Sequence, residues 1–429
     1  MSQINRRQFL KFLGTHSALA LSLGSLVSCS GEAKTARVIV VGGGFGGATC
    51  AKYLLRFDPK LDITLIEPAA RFITCPFSNL VLSGIRKMDQ ISHGYQALQE
   101  RGINVVQARV KAVDGTAKWV ELDSGKKLSY DKLVISPGID FKWDELEGMS
   151  SADADIMPHA WQGGTQTTLL REQLQAMRDG GRVIIAPPEN PFRCPPGPYE
   201  RASMIAHYLK HNKPKSKILI LDAKSKFSKQ ALFTQGWNKL YPGMIEWVSG
   251  DEGGRIDTVD VKTRTINTES GDSFKSDVVN LIPPQKAAKI VADAGLTNSD
   301  GWCRVNQRTF ESKIKKDIHV IGDASIAGKM PKSGFAANSQ GKVCAAAIVA
   351  ELHNIKMPEP SYVNTCYSLV SPDYGISVAA VYRFNESDGI YKVKGSGGVS
   401  PLDADAQFRK NEASYAEGWY DSITLDAFG

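Results

Sequence analysis

The feature that most restricts the fold is a glycine cluster set between two strand-like runs near the start of the chain. Arg37-Val-Ile-Val-Val41 reads as a buried parallel strand, and Gly42-Gly-Gly44-Phe-Gly-Gly47 follows it directly, opening an alanine-rich helical segment that runs to about Arg56. A second apolar strand, Asp62-Ile-Thr-Leu-Ile66, ends at Glu67, twenty residues past Gly47. A GxGxxG spacing alone is weak. Set between strand and helix, with a carboxylate closing the next strand, it describes a dinucleotide site. Gly42, Gly44 and Gly47 let backbone approach a pyrophosphate at a helix N-terminus, and Glu67 accepts hydrogen bonds from an adenosine ribose.

Later segments indicate which dinucleotide. Lys132-Leu-Val-Ile-Ser-Pro-Gly138 and Asp317-Ile-His-Val-Ile-Gly-Asp323 both read as strands ending in turns. Gly322-Asp323 resembles the segment of two-dinucleotide flavoproteins whose Asp binds the ribityl and pyrophosphate part of FAD; an Asp there also suits a helix cap, and the two roles are compatible. The alanine-rich stretch 336–352 predicts a helix whose positive end faces the flavin pyrimidine. The expected FAD domain is therefore discontinuous, 34–145 and 270–355. Between them, 146–269 predicts a second nucleotide-like domain, with the strands Arg182-Val-Ile-Ile-Ala186 and Lys217-Ile-Leu-Ile-Leu221. Where a second glycine loop belongs, the chain has Pro187-Pro-Glu-Asn-Pro-Phe-Arg-Cys-Pro-Pro-Gly-Pro198. Proline has no amide proton to offer a pyrophosphate, so no NAD(P)H site is expected.

The 429 residues are 42% apolar and 23% charged, which fits a globular chain with sizeable cores and excludes disorder and small disulfide scaffolds. The net charge of +7 includes Arg6, Arg7 and Lys11 in an acid-free leader, and the remainder has no basic and aromatic cluster for nucleic acid. Arg6-Arg7 before the short apolar run 17–28 resembles a twin-arginine export signal over residues 1–30, which implies the periplasm. Leu26-Val-Ser-Cys29 also resembles a lipoprotein box, in which Cys29 carries a lipid anchor. No stretch is long enough for a transmembrane helix.

Of the seven cysteines, Cys50 and Cys344 fall on alanine-rich helical segments and read as small core residues, and Cys303 reads as structural. Cys194 stands in the proline-stiffened loop and Cys366 in Asn364-Thr-Cys-Tyr-Ser368; spacing alone does not pair them. No CxxC or CxxCH occurs, and no histidine spacing marks a base or a metal site.

Several long and unusual segments carry a family resemblance: Arg71-Phe-Ile-Thr-Cys-Pro-Phe-Ser-Asn79, His93-Gly-Tyr95, Pro191-Phe-Arg-Cys-Pro-Pro-Gly-Pro-Tyr-Glu-Arg-Ala-Ser203, Ile282-Pro-Pro-Gln285, Asn338-Ser-Gln-Gly-Lys342 and Asn364-Thr-Cys-Tyr-Ser368. Over nearly all of the chain beyond its leader, the sequence resembles the flavoprotein subunit of flavocytochrome c sulfide dehydrogenase. The resemblance implies an α/β fold with two dinucleotide-binding-like domains of the glutathione-reductase type and a smaller C-terminal α+β interface domain, 356–429. It implies FAD bound covalently through Cys75, and a redox disulfide between Cys194 and Cys366 against the flavin. It implies sulfide as substrate, with a c-type cytochrome subunit as partner and acceptor. Pro76, where the family commonly has a bulkier residue, is a local departure. Alternatives are a sulfide:quinone oxidoreductase, disfavoured by the evenly charged C-terminal region, a pyridine-nucleotide disulfide reductase, disfavoured by the proline loop, and a flavin-bearing interaction protein without turnover.

Overall fold

The computed structural model describes residues 35–429; the expected export signal with Arg6, Arg7 and Cys29 lies outside them. Among the described residues no helix is long and apolar enough to cross a membrane. Four short strands begin the first parallel sheet: β1 (Arg37–Val41), β2 (Asp62–Ile66), β3 (Asn104–Val106) and β4 (Lys132–Ile135). The chain then builds a second sheet from β5 (Arg182–Ala186), β6 (Lys217–Leu221), β7 (Ile245–Val248) and β8 (Val278–Leu281), and returns to the first sheet as β9 (Ile318–Val320). Spatial orders are β9-β4-β1-β2-β3 and β7-β6-β5-β8, and every pairing is parallel. Parallel strands need helices on both faces, which explains why these runs are apolar throughout rather than alternating: Val38, Val40, Val134, Ile135, Val183 and Ile185 are all inaccessible to solvent. Each such side chain contributes about 1.5–3 kcal/mol by leaving water.

The discontinuity expected for the first domain is therefore present as a strand pairing, but its boundary differs. β8 pairs with β5, so the chain leaves the second sheet after Leu281 and not near residue 270. The run 278–281 and the run 318–320 are both short apolar segments, and only long-range pairing tells which sheet each joins.

Seven helices matter for the site: α1 (Phe45–Phe57), α2 (Ser78–Ser83), α3 (Thr165–Ala176), α4 (Gly197–Asn212), α5 (Gln230–Leu240), α6 (Gly334–Leu352) and α7 (Ala406–Phe428). The C-terminal part is an antiparallel sheet of β10 (Ser361–Ser371), β11 (Tyr374–Asn385) and β12 (Gly389–Lys392), with α7 packed beside it. Helices α1 and α6 cross with their backbones nearly touching: a Cβ on Gly341 would lie 2.7 Å from the Gly46 carbonyl oxygen. Cys50 and Cys344, both inaccessible, face one another from these two helices. They are core residues, as expected.

The glycine turn itself is sterically determined. Gly42 has φ +97, and a Cβ on Gly47 would sit 1.9 Å from the Gly42 carbonyl oxygen, so neither position accepts a side chain without rebuilding the turn. Gly47→Ala should lower the thermal unfolding midpoint by the equivalent of about 1–3 kcal/mol. Gly398→Ala, with nothing within 4 Å of the new methyl, should stay within about 0.5 kcal/mol, and equal effects of the two would contradict the steric account.

Candidate active site

The dinucleotide crevice is lined by Gly42, Gly44, Glu67, Ser136, Gly322 and Asp323, all at the carboxyl ends of strands of the first sheet, with Gly334 and Ala337 from the start of α6. This is where parallel α/β sheets bind ligands. Glu67 accepts from the Gly43 amide at 2.8 Å and the Ala69 amide at 3.0 Å; each oxygen keeps a free lone pair for a ribose hydroxyl. Asp323 is partly buried, its Oδ1 is buried, and among the described residues that atom has no partner. Burial holds its carboxyl above the usual range, opposed by Arg193 and Lys332. Asp323 does not cap α6; Ser333 does, accepting from the Ala336 amide at 3.1 Å. An orphaned acceptor beside a glycine cradle and an open helix N-terminus fits the ribityl and pyrophosphate groups of FAD.

A second cavity adjoins the crevice. Cys75, Cys194, Glu200, Cys366, Ser368 and Trp419 line it, and it shares Cys75, Pro76, Arg193 and Gly334 with the crevice wall. Three cysteines from three parts of the chain thus meet at one junction. Cys75 is pinned locally: the Thr74 amide donates to the Ile91 carbonyl at 2.9 Å, and the Ser78 amide and hydroxyl donate to the Cys75 carbonyl at 3.0 and 2.6 Å. Cys194 has a left-handed backbone, φ 59, in the proline loop. Its amide donates to the Lys332 carbonyl at 2.8 Å, and its carbonyl accepts from the Gly197 amide at 2.8 Å. Gly197 is obligatory, since a Cβ there would lie 2.7 Å from the Trp161 ring and 3.1 Å from Cys194 Sγ. Cys366 lies on β10 opposite Val378.

The expected Cys194–Cys366 bridge is not formed in this structure; both stand as free thiols, on the same cavity. Burial pushes both thiols up, Cys194 strongly, where the neighbouring Cys366 and Glu200 add to it. A pair held this way resists becoming two thiolates.

Sequence reasoning missed the polar groups around this junction. Arg193 donates to the Trp161 carbonyl and lies 3.9 Å from Asp323 Oδ2, so one guanidinium spans crevice and cavity. Burial works against its charge, but Cys75, Asp323 and Cys194 hold its pKa above the ordinary value. Glu200 accepts from the Leu369 amide and from Asn79 Nδ2, each at 2.9 Å, and burial raises its carboxyl. Arg201 donates to Asn79, His159, Ala160 and Asn280 and lies over the Trp161 ring. Arg193, Glu200 and Arg201 stand within the segment 191–203, yet no sequence pattern separates them from surface charges. Cys303 is fully buried and lines neither cavity.

Two parallel sheets, a glycine-lined crevice and a thiol cavity opening on it define a flavin oxidoreductase with the fold of the pyridine nucleotide-disulphide oxidoreductases, whose family model matches residues 36–173. Two further family models match: the central part of the sulfide dehydrogenase (flavocytochrome c) flavoprotein chain over residues 167–283, and the flavocytochrome c sulphide dehydrogenase flavin-binding part over 358–428. The chain belongs to the flavocytochrome c sulfide dehydrogenase flavoprotein family. It is 64% identical over 47 residues to the flavoprotein chain of Chlorobaculum thiosulfatiphilum, a match covering 11% of this chain and 98% of that sequence. It is 23% identical over 344 residues to the mitochondrial sulfide:quinone oxidoreductase of Mus musculus, covering 76% and 72% of the two chains. The sulfide:quinone oxidoreductase structure from Aquifex aeolicus superposes with a TM-score of 0.68 at 20% identity, covering 91% of this chain and 92% of that one. The cofactor class is FAD, and the chain is a flavin oxidoreductase of a sulfide-oxidising family.

The histidine behind this site gives a pH test. His159 Nδ1 accepts from the Trp161 amide at 2.9 Å, which requires an unprotonated nitrogen. Burial, with Arg201 and Arg193 nearby, lowers its pKa from 6.5 to about 4. The unfolded chain therefore binds a proton near pH 6.5 that the fold refuses until about pH 4. This stabilisation is complete above pH 6.5 and declines as pH falls through that window, by up to about 1.4 kcal/mol per pH unit. His159→Asn should flatten the pH dependence of unfolding between pH 6.5 and 4, and an unchanged slope would rule out a neutral His159.

Proposed function

We propose that this chain oxidises sulfide through a Cys194–Cys366 disulfide and FAD and delivers the electrons to a c-type cytochrome subunit, as a sulfide-cytochrome-c reductase. The observation that carries the proposal is the junction: Cys194 and Cys366 share one cavity, and that cavity meets the FAD crevice at Cys75 and Arg193. Hydrosulfide attack on a disulfide gives a persulfide and a thiolate, which stores the sulfur on the protein. FAD, when bound in the crevice, would supply the two-electron and one-electron redox chemistry. Around it, Arg193 keeps a fixed positive charge between the sulfurs and the crevice, and Gly197 and Trp161 hold Cys194 in place. Prolines 187, 188 and 191 occupy the loop after β5, so no amide cradle receives a second nucleotide.

We place Cys75 as the covalent anchor of FAD, with Gly42, Gly44, Gly47, Glu67, Gly322 and Asp323 as its noncovalent site. The 356–429 region, which includes the flavin-binding family match, is the proposed cytochrome-facing domain. In the same reading the protein works in the periplasm, exported by the Arg6-Arg7 signal. A second reading, transfer to a quinone, is favoured by the chain-long likeness to sulfide:quinone oxidoreductases. Against it, the α7 surface mixes exposed Phe408, Tyr415 and Leu425 with Lys410, Glu417 and Asp421 and offers no continuous apolar face.

Anaerobic stopped-flow decides between these. Sulfide should bleach the flavin of the wild type, and oxidised cytochrome c should restore its colour faster than a soluble quinone does. Cys194→Ser and Cys366→Ser should each abolish rapid bleaching with FAD still bound, while Cys303→Ser has a modest effect. Bleaching at the wild-type rate in the double variant would end the disulfide mechanism, faster reoxidation by quinone would select the second reading, and no bleaching at all would leave an interaction protein. Separately, acid denaturation should leave flavin on the Cys75 peptide by mass; full release of flavin from the wild type would show that Cys75 is not its anchor.

A further inference from the structure

Lys229 is a buried lysine with no carboxylate partner among the described residues. It is 7% exposed, stands in a left-handed conformation (φ 61) just before α5, and its side chain reaches across to the C-terminal sheet. Nζ donates to Ser368 Oγ at 2.8 Å and reaches the Cys366 and Ile376 carbonyls at 3.5 Å. Ser368 lies two residues beyond Cys366 on β10, so the two side chains share a face, and both line the thiol cavity. The nearby carboxylates are engaged elsewhere. Glu200 accepts from Leu369 and Asn79, and Glu412 accepts from Ser377, Ser400 and Arg409. A buried ammonium left this way costs several kcal/mol unless an anion comes to it. Exchange at a disulfide creates one, and the sulfur that leaves is the one whose thiolate is better stabilised.

We propose that Lys229 is a positioning residue that sets the direction of the exchange: its ammonium receives Cys366 as the leaving thiolate and so directs hydrosulfide onto Cys194 Sγ. This rests on the disulfide reading given above. The hydrosulfide electron pair forms the new S–S bond to Cys194, the Cys194–Cys366 bond breaks, and its pair leaves on Cys366 Sγ. The hydrosulfide proton stays on the persulfide, and no other oxidant or reductant takes part. The surroundings of the two sulfurs differ in the required sense. Glu200 opposes a thiolate at both sulfurs, but after burial Lys229 is the leading influence on Cys366, whereas around Cys194 it comes last, behind Cys366, Glu200 and Cys75, which all oppose a thiolate.

The test uses the FAD-loaded protein, oxidised, given one equivalent of sulfide without oxygen, then alkylated and mapped by peptide mass. The wild type should carry the persulfide on Cys194 and the alkyl group on Cys366. A persulfide on Cys366 overturns the assignment without any variant. In Lys229→Met, alkylation of Cys366 in the reduced protein should slow about tenfold, and the disulfide midpoint potential should fall by about 30 mV, the equivalent of a tenfold change in equilibrium constant. Lys229→Arg should recover most of both. Unchanged alkylation and potential in a folded Lys229→Met protein overturn the proposal; if that variant does not fold, the wild-type persulfide position decides. If the oxidised wild type shows no Cys194–Cys366 bridge by mass, the disulfide reading itself fails, a result distinct from a bridge that opens the other way.

Discussion

The hydrogen bond from the Cys194 amide to the Lys332 carbonyl, 2.8 Å long, fastens the proline loop of the second sheet to the segment that leads into α6 beneath the first. Everything at the site depends on that fastening. It sets Cys194 over the junction in a left-handed conformation that an unsupported non-glycine residue avoids, and it brings Arg193 within reach of Asp323. The loop ends in α4, and the same helix contributes Glu200 to the cavity and Arg201 to the ring of carbonyls behind it.

The electrostatics of the junction follow from its dryness. Arg201 and Lys229 are buried and Arg193 and Glu200 partly buried, all close to three thiols, and each is satisfied chiefly by carbonyls, amides or hydroxyls rather than by a close opposite charge. Such groups cost desolvation, and removing one partner strands another, so they act as a unit. What they supply is a fixed field in which a sulfur that gains charge is stabilised at one place and not at another. Disulfide chemistry needs that asymmetry, because two equivalent sulfurs would give the exchange no direction.

The way the first sheet is completed explains how the crevice and the cavity come to touch. β9 pairs with β4 after an excursion of more than 180 residues, and this puts Gly322-Asp323 next to the glycine turn and α6 against α1. The C-terminal sheet then lays Cys366 and Ser368 against the start of α4, where Leu369 donates to Glu200. Cys194 and Cys366 stand there as free thiols on one cavity.

What the sequence determined by itself was local and steric. Gly42, Gly44 and Gly47 between a strand and a helix, Glu67 at the next strand end, and Gly322-Asp323 are legible because backbone clearance and parallel-strand burial leave few alternatives at those spacings. The proline loop is legible because it stands where a second glycine loop would follow β5. The strand 278–281 was assigned to the wrong side of a boundary because its apolar run carries no mark of its partner. Lys229 was illegible for a similar reason: beside Lys224 and Lys226 it looks like one more solvated charge, and only the packing of α5 on the C-terminal sheet buries it next to Ser368. Tertiary structure alone decided which charges lost their water, and in the proposed disulfide chemistry that loss is what gives a lysine or an arginine its effect.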